Sequence, residues 1–379
     1  MRPHRFPVAC VRCGSYEREK VQNAAREAVK LAGGFPEIPA EVLVKANLLS
    51  PSDPSRAVTT HPEVLRAMCL LLSESGAADI EIADNPGYIF RHQEAELLQK
   101  TGMRGIQDEN LAVVGLLSRN GFRDVSPPGA VSLKTMRVSE SILKSPCVIN
   151  VSKLKTHVET EITGAIKNMF GISDTDTRKK AHGMKSQAFL LNAVIDLFSV
   201  RVPDFCLLDA VDGMEGNGPS HGAPTRVGWI AASRNALALD VVQACIMGYK
   251  NPFAIPLLDI ASQRLDGPRS MEEIDLKGVG WEDLPVRGFR KASGSIRMIP
   301  AFLRGMAHCL VTLYPRLERS SCIKCGVCLR VCPVQAITMD DSGFPMIDTR
   351  TCVLCLCCHE MCPCDAMKVR ESLLSRLMR

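Results

Sequence analysis

Two cysteine runs near the C-terminus carry the most specific chemistry in the chain. The first is Cys322-Ile-Lys-Cys325-Gly-Val-Cys328-Leu-Arg-Val-Cys332-Pro333. The second, thirty residues on, is Cys352-Val-Leu-Cys355-Leu-Cys357-Cys358-His-Glu-Met-Cys362-Pro363. Each reads C-x₂-C-x₂-C-x₃-C-P, a spacing that suits a cubane iron–sulfur cluster. Three thiolates in one tight loop cap three irons, a fourth arrives from a short helix, and the proline turns the chain away. A zinc site needs only two C-x₂-C pairs and would leave the third and fourth cysteines of each run idle. A disulfide framework requires an oxidising compartment, to which nothing here points.

The tail resembles a two-cluster ferredoxin of the bacterial 2[4Fe-4S] type. That resemblance implies that the fourth cysteine of each run serves the other run's cluster. One cluster would then take Cys322, Cys325, Cys328 and Cys362, and the other Cys352, Cys355, Cys358 and Cys332. Two departures stand out. Gly326 follows the second cysteine of the first run, where the second run has Leu356, and Cys357 and Cys364 are extra thiols, expected as non-ligating neighbours of the second cluster.

A chain of 379 residues has room for one large core and an appendage. Its 46% hydrophobic and 23% charged residues are ordinary for a soluble globular protein. The N-terminal apolar run is too short for a signal peptide, and no uncharged apolar run is long enough for a transmembrane helix. Ten of the seventeen cysteines sit in the tail, which points to a reducing, cytoplasmic setting. The formal charge of +5 overstates the basicity. Each oxidised cluster with four thiolates carries about −2, bringing the loaded protein to about +1. No aromatic–basic pattern indicates nucleic-acid binding.

The elements ahead of the tail alternate in type. Strands are expected at 6–13, 41–45, 79–83, 147–151, 205–209 and 227–232, and helices at 17–31, from Pro62 to Gly76, at 186–200 and at 236–247. This predicts an α/β domain over 1–286, a mostly parallel sheet with helices on both faces. A small ferredoxin-like α+β module follows at 320–370, then a tail at 371–379. Residues 287–319 read as a basic amphipathic connector, with seven arginines and lysines against Glu318. Its cations complement the anionic clusters, or make a peripheral membrane contact.

Ligands in such folds gather at the carboxyl ends of strands. Those ends carry Lys45 and Asn47, Asp84, Lys153 to His157, Asp212 to Asn217, and Ser233. Lys153, Lys155 and His157 alternate along an extended segment and so share one face. With Lys45, His61, Lys167 and Asn168 they form a cationic set suited to an anionic ligand or cofactor, and Asn47 is a further candidate for binding it. The alternative is a solvated basic face. Lys155, His157 and Glu215 are the candidate catalytic groups, Glu215 in the glycine-rich stretch Gly213-Met-Glu-Gly-Asn-Gly-Pro219. That stretch is neither a P-loop nor a dinucleotide fingerprint. Cys10 and Cys13 on one strand point to opposite faces and read as buried thiols.

Residues 1–265 resemble the family catalogued as domain of unknown function 362. The resemblance rests on Val44-Lys45-Ala-Asn47, Thr60-His61-Pro62, Asn150-Val-Ser-Lys153-Leu-Lys155-Thr-His157, Thr163-Gly-Ala-Ile-Lys167-Asn168-Met-Phe-Gly171, Asp209-Ala-Val-Asp-Gly-Met-Glu-Gly-Asn-Gly-Pro219 and Ala238-Leu-Asp240. It implies fusion to a ferredoxin module, as seen here, and no assigned activity. Two functions follow as expectations. In one, an oxidoreductase passes electrons from two clusters to an anionic substrate in the α/β domain, with a flavin or other anionic cofactor left open. In the other, a non-enzymatic carrier uses the α/β domain to bind a ligand or a redox partner protein.

Overall fold

The computed structural model describes residues 6–87, 90, 92–292 and 313–371. A nine-stranded sheet organises the described residues up to 292. Its strands are β1 (Phe6–Arg12), β2 (Glu41–Lys45), β3 (Asp79–Asp84), β4 (Val113–Leu116), β7 (Val148–His157), β8 (Glu161–Ile162), β9 (Phe205–Glu215), β10 (Ala223–Ser233) and β11 (Ile274–Lys277). A separate hairpin joins β5 (Phe122–Val125) to β6 (Met136–Ser139). The order across the main sheet is β11-β1-β10-β9-β7-β2-β3-β4, with β8 folded back on β7.

The sheet is mostly parallel, as the alternation of strand and helix demands: β9, β7, β2, β3 and β4 run the same way. The exceptions are the two-residue β8, antiparallel to β7, and β10, antiparallel to both β9 and β1. This overturns the expectation for Ser233. The strand it ends points backwards, so Ser233 lies at the opposite edge and its hydroxyl donates to the Pro7 carbonyl at 2.7 Å.

Both faces are covered by helices. Period-2 alternation on β7 sends Ile149 and Val151 to one side, against the helices Arg18–Leu31 and Pro62–Glu74. Val148 and Leu154 face the other, against Gln187–Val200 and Ala236–Ile246. The helix starts are locally encoded. Ser186 and Asn235 accept from Phe189 N–H and Ala238 N–H, and His61 with Pro62 opens its helix by accepting from Glu63 N–H.

The cysteine module is a duplicated unit. The strands β12 (Leu313–Leu317) and β15 (Met367–Glu371) pair antiparallel, as do β13 (Ile337–Met339) and β14 (Pro345–Ile347). Two short helices, Val327–Val331 and Cys357–Glu360, follow the cysteine loops. The pairing of β12 with β15 begins at Leu313, in the stretch expected as connector, and ends at Glu371, in the stretch expected as tail. Residues 293–312, the heart of that connector, and 372–379 lie outside the described residues.

Two ion pairs are wholly buried at the carboxyl edge of the sheet. Lys45 Nζ lies 2.7 Å from Asp84 Oδ1, and Lys153 Nζ lies 2.9 Å from Asp209 Oδ2. Gly171 makes room for the first, since a Cβ there would sit 2.6 Å from Asp84 Oδ1. Removing one partner of such a pair strands the other. Lys153→Met is expected to cost about 3–5 kcal/mol in chemical denaturation. The double change Lys153→Met with Asp209→Leu is expected to recover most of that loss, and an equal loss in both would contradict it.

Candidate functional site

A cleft opens where the carboxyl edge of the sheet meets the cysteine module. Side chains of both modules line it. The floor is the end of β7, which supplies Lys155 and His157, with Asn47 from the chain after β2. One wall is the helix Gly164–Asn168 with Lys167 and Asn168, another the helix Thr175–His182 with Arg178 and His182. The roof belongs to the cysteine module: Val331, Pro333, Cys357, Glu360 and Met361. Roof and floor are in contact, because a Cβ on Gly87 would collide with the Met361 sulfur.

Each floor residue is held by a specific network. Lys155 Nζ donates to Asn47 Oδ1 at 3.1 Å and to the Val58 carbonyl at 2.8 Å. Asn47 Nδ2 donates to Asn168 Oδ1 at 3.1 Å, and Asn168 Nδ2 to Asn150 Oδ1 at 2.7 Å. The short helix bearing Lys167 and Asn168 is anchored by Asp240, whose carboxylate accepts from Ala165 N–H at 2.5 Å and Ile166 N–H at 2.9 Å. Gly164 is required there, with φ of +60° and no space for a Cβ beside Asp240.

The electrostatics are unusual at two residues. Lys155 is fully buried and bonded to neutral oxygens, and burial lowers its pKa to about 7. His157 is 1% exposed, and burial, with Lys167 next, holds its pKa well below the ordinary value, so the ring is neutral. Its Nδ1 accepts from Glu159 N–H at 3.1 Å, which places the ring proton on Nε2. That Nε2 is buried without a hydrogen-bond partner. His157, Glu159 and Glu360 bring ligand-type atoms within 4.8 Å of one another.

His182 behaves oppositely. Burial disfavours its charge, but Glu159, with Oε2 3.2 Å from His182 Nδ1, outweighs burial and raises the pKa. Burial also lowers the pKa of Lys167 against the pull of Glu360 and Glu159. Arg178 reaches the Asn85 and Pro86 carbonyls at 3.4 and 3.1 Å.

Of the residues singled out from sequence, Asn47, Asp84, Lys155, His157, Lys167 and Asn168 line the cleft. Lys45 and Lys153 do not, since both are consumed by their buried ion pairs. The pairing of β7 with β9 shifts register between Lys153 and Lys155, the extra residues lying in β9, and of the three only Lys155 and His157 line the cleft. None of the three is on a solvated face. Glu215 is also outside, because β9 continues through it and its carboxylate binds Arg290 Nε at 2.7 Å. Sequence reasoning missed Arg178 and His182. The helix that carries them was marked only by the Asp174 cap, which accepts from Thr177 N–H. Cys10 and Cys13 are buried, and burial raises both thiol pKa values.

The eight motif cysteines line two small cavities. One is lined by Cys322, Cys325, Cys328 and Cys362, the other by Cys332, Cys352, Cys355 and Cys358. The backbone around them repeats at a fixed offset. Lys324 and Leu354, Gly326 and Leu356, and Gln335 and Asp365 all have left-handed φ between 51° and 67°. Ala336 N–H and Ala366 N–H each lie 3.2 Å from the sulfur of the preceding fourth cysteine, Cys332 and Cys362. Four sulfurs about a void, with amide donors on a sulfur, fit a cubane cluster. The two extra thiols separate. Cys364 lies against the first cavity, 3.8 Å from Cys362 Sγ, whereas Cys357 faces the cleft.

The sequence profile described as domain of unknown function (DUF362) matches residues 42–245. The chain belongs to the DUF362 family. A second profile, the 4Fe-4S dicluster domain, matches residues 321–366, so this DUF362 protein carries an iron–sulfur module. It is similar to the thylakoid-associated protein sll1697 of Synechocystis, 30% identical over 264 residues, 68% of this chain and 79% of that one. A crystal structure of a Thermotoga maritima protein matches at 15% identity and TM-score 0.38, covering 58% of this chain and 56% of that one. The lactate racemase apoprotein from Thermoanaerobacterium thermosaccharolyticum matches at 13% and 0.39, covering 61% and 54%. The DUF362 chain thus spans a little over half the length of either solved structure.

An anion seated against Lys155 requires the charged amine. With its pKa at about 7, affinity for a small dianion is expected to fall as pH rises through neutrality. In calorimetric titrations with phosphate and with a short dicarboxylate between pH 6 and 9, Lys155→Ala is expected to weaken binding at least about tenfold and to flatten that pH profile. A profile unchanged in the variant would contradict the assignment.

Proposed function

We propose that this DUF362 protein is an iron–sulfur oxidoreductase that reduces a small anionic molecule held between the sheet edge and the cysteine module. One observation carries the reading: a buried lysine bonded only to neutral oxygens adjoins a buried, unpartnered imidazole N–H, and both face an open cleft. Such donors are costly to bury unless an acceptor completes them. An anion supplies both needs.

In this reading Cys322, Cys325, Cys328 and Cys362 hold one cluster, and Cys332, Cys352, Cys355 and Cys358 the other. Bound clusters would supply low-potential electrons one at a time. A one-electron redox protein provides them, and the anionic ligand takes up two in succession with protons. Lys155 and Lys167 neutralise the ligand's charge, and Arg178 closes the same side of the cleft. His157 orients the ligand through its Nε2–H. His182, whose pKa Glu159 raises, is the proton source. Cys357 lies in the roof between the ligand and the second cavity.

The alternative is a non-enzymatic carrier whose α/β domain binds a partner, favoured by the solvent exposure of Cys325. Among the described residues no helix is long and apolar enough to cross a membrane. Since sll1697 is described as thylakoid-associated, attachment to a membrane surface is as consistent with this chain as a cytoplasmic location.

Anaerobic purification is expected to give about eight irons and eight sulfides per chain. Cys357→Ser should leave that content intact, while Cys358→Ser should lose about half of it. Small molecules released on denaturation, flavins included, are identified by mass spectrometry and returned to the dithionite-reduced protein. Reoxidation of the EPR signal by one of them, lost in His157→Ala, is the enzyme's signature. Reoxidation by protein partners alone would establish the carrier.

A further inference from the structure

We infer that the loop Cys322–Cys328 is a docking surface for a small acidic one-electron carrier protein, which makes the cavity beneath it the port for electrons. The inference rests on the electron-transfer reading above and names the partner's chemistry and its place.

The two cysteine cavities are not equivalent. The one lined by Cys332, Cys352, Cys355 and Cys358 is backed by the roof of the cleft, through Cys357 beside Cys355 and Cys358. The other is turned to solvent: Cys325 is exposed, and its neighbour Ile323 is 64% exposed. Leu329, on the short helix that follows, is 39% exposed. Apolar side chains presented beside a redox centre suit a short-lived protein contact, where the centres must approach closely but release quickly.

Charge decides what kind of partner fits. Lys324 is exposed between Ile323 and Cys325. Arg330 reaches over the loop, with Nη1 donating to the Cys325 carbonyl at 3.1 Å. Arg319 is the third cation, its guanidinium 4.8 Å from the Phe344 ring centre, with Lys324 Nζ 4.3 Å from the same ring. Among the described residues the ion pair these three cations make is Arg319 with Asp340, at 3.2 Å. Lys324 and Arg330 remain as cations at the mouth. A cluster bound here would itself be anionic and repel an acidic protein, so a basic rim is what allows one to approach. The same rim repels a basic carrier.

The test uses the full-length, cluster-loaded protein under anaerobic conditions, with a small acidic ferredoxin, basic cytochrome c, and vesicles with and without anionic lipid as probes. The acidic ferredoxin should bind, with affinity falling at least tenfold between about 50 and 300 mM salt. Lys324→Glu should weaken it at least tenfold, and Lys324→Arg should restore it. Arg330→Glu should act likewise, but its bond to Cys325 could disturb the loop, so Lys324→Glu with unchanged iron and sulfide content is the deciding variant. Binding unaffected by Lys324→Glu or by salt, tighter binding of cytochrome c, or a Lys324-dependent preference for anionic vesicles over the acidic ferredoxin would each overturn the inference. Anion binding in the cleft is measured separately on the same variant. Its survival when docking is lost separates failure of this surface from failure of the reductase reading.

Discussion

The structure turns on the cost of burying charge at one edge of a sheet. Lys45 and Asp84 at the ends of β2 and β3, and Lys153 and Asp209 on β7 and β9, are all removed from water, and each of these cations meets a carboxylate. The surroundings are built to keep those pairs tight. Asp84 also accepts from Leu48 N–H and Asn85 N–H, both at 2.7 Å, and Asp209 from Tyr16 and His61 N–H. With these charges matched, Lys155 remains as a buried cation bonded to neutral oxygens, and the cleft forms around it. A charge left over in an otherwise balanced interior is a functional signal, because the same network could have paired it.

The second constraint is the contact between the modules. The short helix Cys357–Glu360 belongs to the cysteine fold by its φ pattern and to the cleft by its side chains. Leu356, just before it, takes the left-handed conformation that Gly326 takes in the first repeat, at a steric cost glycine would avoid. The leucine is 3% exposed, so burial of its side chain offsets that cost. Val327, Val331 and Met361 pack together with Leu49 and Phe90 of the α/β domain. Shared packing of this kind fixes the distance between the cysteine cavities and the cleft, which a flexible tether would not do.

Much of this was legible in the amino-acid order. The cysteine spacing specified two equivalent loops, and alternation of strand and helix specified a parallel sheet with its site at the carboxyl edge. The residues that went astray did so for physical reasons. Lys45 and Lys153 look like ligand-binding cations in sequence, but the acids that consume them, Asp84 and Asp209, lie 39 and 56 residues away and meet them only through strand pairing. Glu215 sat in a glycine-rich stretch that reads as a loop, yet β9 runs through it in an antiparallel ladder with β10. Reversal of β10 carried Ser233 to the wrong edge. Arg178 and His182 had no motif at all, and their role depends on a helix folding over the end of β7. Cys357 and Cys364 look alike in the sequence, and only the turn after Cys362 sends them to different sites.

The central claim, that cysteine-bound iron adjoins the anion-ready cleft, is tested most directly by diffraction from anaerobically grown crystals of the full chain at the iron absorption edge. The anomalous map should show two groups of four irons, one enclosed by Cys322, Cys325, Cys328 and Cys362, the other by Cys332, Cys352, Cys355 and Cys358 behind the cleft roof at Cys357. Iron confined to a single group, a different set of cysteines around it, or a module lifted away from Lys155 and His157 would contradict it.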